Sequence, residues 1–334
     1  MNPLTKTQVR LLGTLMSSGP LSRKQLSEKL LLTKAAITFT THELLDLGLI
    51  KEIGAIKDSR VGRKEILLDL NPQAMHVLGL DIKPKHIRVT CLNLKSDLVI
   101  NDVYDTLKDA ITALRHYAAA FNNVLGLGVS LRRYHSQQKD EFKDVIDCVE
   151  TLKIPTYYMN NVAALALAYK TTEFNDKNFM LIKYGPGVGS AIMFNHKLIN
   201  TEQDKASEIG HVMIDCHTYQ SLESTIKYNT LWDEDIDEDG IVDYFLDHPE
   251  TLAFVIEQLA LAIVNAHALL SLEKIIIAGQ IFSNEAIYNQ FKKRLYALNV
   301  TQPITLKRIN NYQMTNQKKA GWIPLYYTFL EPLN

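Results

Sequence analysis

The sequence predicts an α/β fold in which a small helix-rich module precedes a larger body of alternating strands and helices. Three observations carry that prediction. Within the first seventy residues, apolar side chains recur at helical spacing in three short segments, and two apolar stretches then flank a polar, glycine-punctuated loop. After Asn71-Pro72 strands interleave with helices, and several strands are apolar on both faces. Charge divides at the same place: residues 1–70 hold 11 Lys and Arg against 7 Asp and Glu, net +4, and the remainder holds 25 against 30, net −5.

Each element of the first module has a start and a stop signal. Thr5 to Ser17 places Val9, Leu12, Leu15 and Met16 on one stripe, and Ser18-Gly19-Pro20 breaks it. Ser22 is an N-cap for a second helix, Arg23 to Leu30, with Leu26 and Leu30 inward. Thr33 caps a third that begins at Lys34, offers Ala36, Ile37, Leu44 and Leu47 for packing, and ends at Gly48. Residues 49–53 and 65–70 read as paired strands around GAIKDSRVGRK, whose tip carries Lys57, Arg60, Arg63 and Lys64. Helix, helix, helix, strand, basic tip and strand is the order of a winged helix-turn-helix, in which the third helix enters the major groove. The expected DNA contacts are therefore Lys34, Thr38, Thr41 and His42 on that helix and Arg60, Arg63 and Lys64 at the tip. Three helices alone would equally suit a protein-binding bundle, and a net of +4 could be a solvated face; the basic hairpin decides for DNA.

Length and composition bound the rest. With 334 residues, 46% hydrophobic and 22% charged, the chain has material for a large core and more than one domain. The expected division is 1–72, 73–190 and 191–334. No stretch approaches the roughly 18 consecutive apolar residues of a membrane helix, and MNPLTKTQVRLLGTL lacks a secretory apolar region. Cys91, Cys148 and Cys216 are too few and too dispersed for a disulfide framework or a zinc ribbon. A cytoplasmic chain with no membrane partner is expected.

In the body, HVLGLDI, HIRVTCLNL and SDLVINDVYDT read as successive strands, followed by a helix from about Leu107 to Asn122. NVLGLGVSL and IPTYYMNN come next, then the alanine-rich helix NVAALALAYKT, a glycine-turned hairpin NFMLIKYGPGVGSAIMFNHKLI, and a long helix, Glu257 to Leu272, feeding EKIIIAG. A three-strand start, a glycine-rich middle hairpin and a second β/α half resemble the actin-like (ribonuclease H-like) two-lobed sugar-kinase fold. More narrowly, the chain resembles the ROK family of repressors and sugar kinases over nearly its whole length, winged helix included. The residues carrying this are Gly62-Arg63-Lys64, Gly79-Leu80-Asp81-Ile82, Asn160-Asn161, GPGVGSAI and, most specific, Ser207-Glu208-Ile209-Gly210-His211.

The resemblance implies a kinase body, and the residues depart from one at several positions. The family's first phosphate loop, Asp-x-Gly-x-Thr, is matched by Asp81-Ile82-Lys83-Pro84-Lys85, without its glycine and threonine and with a proline that has no N–H. Its second, Gly-Thr-Gly, is Gly185-Pro186-Gly187 here, and paired glycines at the nucleotide end are Gly279-Gln280. The family's catalytic aspartate follows an asparagine; here the pair is Asn160-Asn161, and an amide is no general base near neutral pH. No catalytic residue and no cofactor are expected. The family's zinc site uses the Gly-His histidine and three clustered cysteines; beyond His211 only Cys216 and His217 are candidates, so no metal is expected. Sugar contacts carry over as Asn160, Asn161, Glu208, His211 and Glu223, although Glu208 and His211 could equally form a structural pair. Gly128-Val129-Ser130-Leu131 departs from the family's sugar-side Val-Pro-Gly turn.

These readings converge on a transcriptional regulator, a repressor of carbohydrate uptake or catabolism genes, with operator DNA and a sugar or sugar phosphate as partners. A two-fold operator implies a homodimer or higher oligomer, for which the long helix 257–272 is one candidate surface and core packing its other explanation. The alternatives are a sugar kinase with an accessory DNA-binding domain, and a regulator governed by a protein partner.

Overall fold

The computed structural model describes residues 4–55, 65–83, 85–121, 123–132, 142–172, 176–185, 187–195, 197–199, 207–215, 220–230, 238–272, 274–298 and 303–331. Local chemistry sets the first elements. Helix α1 (Lys6–Ser18) starts where Thr5 Oγ1 accepts from the Gln8 N–H, at 3.3 Å, and Gln8 Oε1 accepts from the Thr5 N–H, at 2.8 Å. After the short strand β1 (Leu21–Ser22), α2 (Arg23–Leu30) repeats this reciprocal cap with Ser22 and Gln25. Thr33 Oγ1 takes the Ala36 N–H at the head of α3 (Lys34–Asp46). Each cap satisfies helix N–H groups that otherwise lack partners. Strands β2 (Ile50–Ala55) and β3 (Ile66–Leu70) pair antiparallel, and with β1 they make a three-stranded sheet in the order β1-β3-β2. Leu11, Leu12, Leu15, Leu26, Ile37, Leu44, Leu49, Ile50 and Leu68 are buried between these helices and this sheet.

The chain divides into two compact units: Met1–Leu131 with Asp140–Met159 and Gln317–Asn334, and Arg132–Lys139 with Asn160–Asn316. These units do not follow the expected lobes at 73–190 and 191–334. The boundary falls at residue 160, and the C-terminal segment rejoins the first unit.

In the first unit, β4 (His76–Ile82), β5 (Ile87–Asn93) and β6 (Leu98–Tyr104) form an antiparallel meander, then α4 (Leu107–Ala120) leads to β7 (Val124–Leu131), which returns parallel to β4. With α5 (Lys143–Glu150) and β8 (Thr156–Asn160) the sheet order is β6-β5-β4-β7-β8. Cys91 lies fully buried in β5, where burial pushes its thiol up to about 12.

The second unit opens with α6 (Asn161–Thr172), then the hairpin β9 (Phe179–Gly185) and β10 (Gly187–Phe194), and β11 (Lys197–Leu198). There follow the small pair β12 (Met213–Asp215) and β13 (Gln220–Ser221), then α7 (Leu222–Thr230), α8 (Ile241–Asp247), α9 (Pro249–Leu270), β14 (Lys274–Ala278), α10 (Glu285–Leu298) and β15 (Thr305–Arg308). Its mixed sheet runs β11-β10-β9-β14-β15, with β14 parallel to both β9 and β15. Helix α9 starts eight residues before the expected Glu257, at Pro249, a residue suited to a helix's first turn. By length and a mean hydropathy of 1.7 it could cross a membrane, yet it packs Leu252, Val255, Ile256, Leu259 and Ile263 into this unit's core.

Helix α11 (Tyr312–Leu325) passes from the second unit into the first, and a π-helical turn, Tyr326–Leu330, continues it and packs on α1. Within the first unit α11 lies directly on strand backbone. A β-carbon on Gly128 would stand 2.0 Å from the Ala320 carbonyl oxygen, and one on Gly79 would stand 2.6 Å from the Gly321 nitrogen. Only glycine admits so close an approach.

Candidate functional sites

On α3 the exposed residues are Lys34, Ala35, Thr38, Phe39, His42 and Asp46. Thr38 Oγ1 donates to the Lys34 carbonyl at 2.8 Å, and His42 Nδ1 lies 2.9 Å from Asp46 Oδ2. Three of the four residues expected on this face are there. Thr41 is not: it is 0% exposed, accepts from Arg23 Nε at 3.1 Å and donates to the Thr38 carbonyl at 3.1 Å. At 3.6 residues per turn, position 41 falls on the stripe of Ile37, Thr40 and Leu44 rather than beside Thr38 and His42. The same spacing brings out Phe39, 67% exposed, which the sequence reading passed over. Arg60, Arg63 and Lys64 lie outside the described residues.

The five candidate sugar contacts sit on three segments, all packed on β10. Asn160 ends β8, and its Oδ1 accepts the Val162 N–H at 2.9 Å, turning the chain into α6, whose first residue is Asn161. Glu208 precedes a 3₁₀ turn, Ile209–His211, and Glu223 stands in the first turn of α7. A β-carbon on Gly187 would be 3.2 Å from Glu223 Oε1 and 3.3 Å from Arg132 Nη2, so a carboxylate and a guanidinium lie over this glycine, whose φ of +141° other residues rarely adopt. A β-carbon on Gly210 would be 3.4 Å from Glu223 Oε2. Glu223, assigned through the resemblance to the family, is thus brought against both the hairpin and the Glu208–His211 segment. His211 is exposed, and its backbone N–H donates to the Glu208 carbonyl at 3.0 Å.

Two residues missed in the sequence complete this corner. Ser190 Oγ donates to the Ser207 carbonyl, takes the Ser207 hydroxyl at 2.9 Å and takes the Ile209 N–H at 3.3 Å, riveting the segment to β10. Arg132 is the other. Ser190 is inside GPGVGSAI, so its position was legible but its partners, 17 and 19 residues on, were not.

The positions corresponding to the phosphate loops carry internal ion pairs. Asp81, at the end of β4, is buried; Lys319 Nζ of α11 reaches its Oδ2 at 2.6 Å, and Ser130 Oγ of β7 donates to its Oδ1 at 2.8 Å. Burial alone would raise this carboxyl. The Lys319 ammonium, with Lys83 and the two hydrogen bonds, more than offsets that and holds it below the usual carboxylate range. In the second unit a β-carbon on Gly185 would stand 3.0 Å from both Glu238 Oε1 and Lys183 Nζ. Lys183 pairs with Glu238, whose Oε2 also takes the Tyr312 hydroxyl at 2.9 Å. Past the C-terminal ends of β14 and β15, where α/β sheets bind ligands, a cleft of about 360 Å³ is lined by Gln280, Ser283, Arg308, Asn310, Asn311 and Tyr312.

Of the residues considered for zinc, His211 is exposed at the end of its 3₁₀ turn. Cys91 is a buried thiol in the first unit, Cys216 and His217 lie outside the described residues, and among the described residues no three His, Cys, Asp or Glu side chains cluster to hold an ion.

Residues 100–224 match the ROK family. That stretch is similar to the domains of the ROK family. The chain is 23% identical over 235 residues to the xylose repressor of Staphylococcus xylosus, covering 63% of this chain and 61% of that protein. It is 22% identical over 229 residues to the DNA-binding transcriptional dual regulator NagC of Escherichia coli K12, covering 60% and 56%. The matches thus span about three fifths of those relatives. Among solved structures, a ROK family transcriptional regulator described as a homolog of the E. coli MLC protein aligns over 98% of this chain and 97% of its own, with TM-score 0.73 and 20% identity. A ROK hexokinase from Thermus thermophilus aligns over 76% and 99%, with TM-score 0.60 and 14% identity. These likenesses establish the fold: regulators and kinases of the ROK family share the architecture described here.

Proposed function

We propose that the chain is a DNA-binding transcription regulator, a repressor of carbohydrate uptake or catabolism genes, whose body senses a sugar or sugar phosphate and performs no phosphoryl transfer. The observation that carries this reading is the outward face of α3, with Lys34, Thr38 and His42 exposed on a helix that follows α2 after three residues and precedes a β-hairpin. That arrangement supports the reading of a winged helix-turn-helix presenting a recognition helix. Xylose and N-acetylglucosamine repressors among the relatives support both the DNA partner and a carbohydrate effector. For the body, amides and carboxylates at Asn160, Asn161, Glu208, His211 and Glu223 suit hydroxyl recognition.

Loss of catalysis has two physical supports. Asn161 stands where the family places its base and cannot take a proton. Asp81, in the stretch that matches the first phosphate loop, is paired with Lys319, and Lys183 beside Gly185 is paired with Glu238, so neither ammonium is left to hold a phosphate. A sugar then acts only through unequal affinity for DNA-competent and DNA-incompetent states. Two modules on a two-fold operator make the working species a homodimer in the cytoplasm.

The test uses the full-length chain. Fragments of the source genome are selected for binding, and anisotropy titrations at several salt concentrations follow, with xylose, N-acetylglucosamine and their phosphates as effectors. ADP release is measured with the same sugars. The expected result is salt-dependent duplex binding, weakened by one sugar class, with no ADP formed. Sugar-dependent ADP release, or no duplex bound at low salt, overturns it.

A further inference from the structure

The exposed face of α3 holds a residue that ordinary phosphate binding does not explain. Phe39 keeps 67% of its surface in water on a helix whose opposite stripe is fully packed. Solvent exposure of a phenyl ring is unfavourable, and a ring held there by a rigid helix is positioned for an apolar partner. Ala35, one turn earlier, and Thr38 and His42 flank it on the same face. Leu31, in the turn between α2 and α3, is 90% exposed, its φ of 54° directing the chain into α3.

Charge selects among the possible occupants. The first two turns of α3 carry Lys34 and no carboxylate. The first acidic residue, Glu43, is half-buried and accepts from Gln8 Nε2 at 3.1 Å, and the next, Asp46, is paired with His42. Arg23 and Lys24, at the head of α2, pair with Glu52 at 3.2 Å and Glu65 at 3.9 Å, so Lys34 carries the positive charge of this face. An apolar ring among threonine, histidine and lysine on a helix of a basic module matches the major groove, where the one apolar feature on a base edge is the thymine 5-methyl group.

We propose that Phe39, with Ala35, is a specificity-determining contact that reads a thymine methyl in each operator half-site. The proposal rests on the DNA-binding reading above. Phe39 offers no donor or acceptor, so it distinguishes thymine from cytosine by the methyl group alone, while Lys34 and Thr38 hold the register on phosphates.

The experiment uses the intact chain and variants F39A and F39L. A random duplex library is selected with the wild-type protein, and each thymine of the selected duplex is then replaced singly by deoxyuridine, which removes only the methyl. Wild type is expected to lose about fourfold in affinity at one thymine per half-site, the worth of one methyl group removed from water. F39A should bind the thymine duplex correspondingly weaker and be indifferent to that replacement, and F39L should retain part of the discrimination. Circular dichroism should show all three equally folded, since the ring packs on no core. Duplex binding by wild type with every deoxyuridine silent and F39A unchanged overturns the Phe39 proposal and leaves the DNA reading standing. Failure to select any duplex removes both. Dissociation of an oligomer in F39A without any deoxyuridine effect makes the ring a protein contact and also overturns it.

Discussion

Replacing Lys319 with methionine should unfold the first unit far more readily than its conservative volume suggests. The Asp81 and Lys319 side chains are each 3% exposed and 2.6 Å apart, and Ser130 Oγ donates to the same carboxylate at 2.8 Å. Methionine fills the space but leaves a buried, uncompensated carboxylate, which costs about 3–5 kcal/mol. That is a large part of the ~5–15 kcal/mol that stabilises a typical protein. Trp322 lies buried in α11 within this unit, so with Trp232→Phe as background its fluorescence reports urea unfolding here. The pH dependence has a definite sign. In the wild type the folded carboxyl is held low, so its stabilisation is present above the ordinary value of about 3.9 and is lost as pH falls through the lowered one. In Lys319→Met both Lys319 contributions are lost and burial is opposed only by Lys83 and the Ser130 hydrogen bond, so the carboxyl rises and the penalty at neutral pH shrinks as pH falls toward that raised value. The double variant Asp81→Asn/Lys319→Met should recover most of the loss. A single variant within about 1 kcal/mol of wild type at neutral pH, with a parallel pH profile, would refute the assignment of this pair as the unit's internal counterion.

Gly128→Ala sets a β-carbon 2.0 Å from the Ala320 carbonyl oxygen, so α11 must lift; a cost of ~3 kcal/mol and a lower Tm are expected in thermal unfolding. Lys34→Ala should weaken duplex binding across sequences and reduce the slope of log affinity against log salt by about 1 in anisotropy titrations. Asn161→Asp should release no ADP from ATP with any hexose, because Asp81 stays bound to Lys319; turnover in that variant would show the body to be one residue from a kinase. Ser190→Ala frees the Ser207–Ile209 segment from β10 and should cost about 1 kcal/mol in urea unfolding while speeding proteolysis at this loop.

What the sequence determined is what chemistry writes within a turn or two of chain. Thr5, Ser22 and Thr33 cap the three helices because a side-chain oxygen reaches the N–H three residues on. The strand at 76–82 and the hairpin about Gly185-Pro186-Gly187 were legible as apolar runs bounded by turn residues, and the motifs Asn160-Asn161 and Ser207–His211 pointed to the ROK resemblance. Thr41 was misplaced within that same range, because choosing the face of a short helix requires knowing which stripe its neighbours cover. What tertiary structure alone decided are pairings that periodicity cannot register. Lys319 meets Asp81 across 238 residues, Glu238 meets Lys183 across 55, and Glu223 is carried to Gly187 by the packing of α7 on β10. Nothing local marks Lys319 as buried. It becomes so because Gly79 and Gly128 let α11 lie against the strand backbone, and a lysine buried there pairs with Asp81.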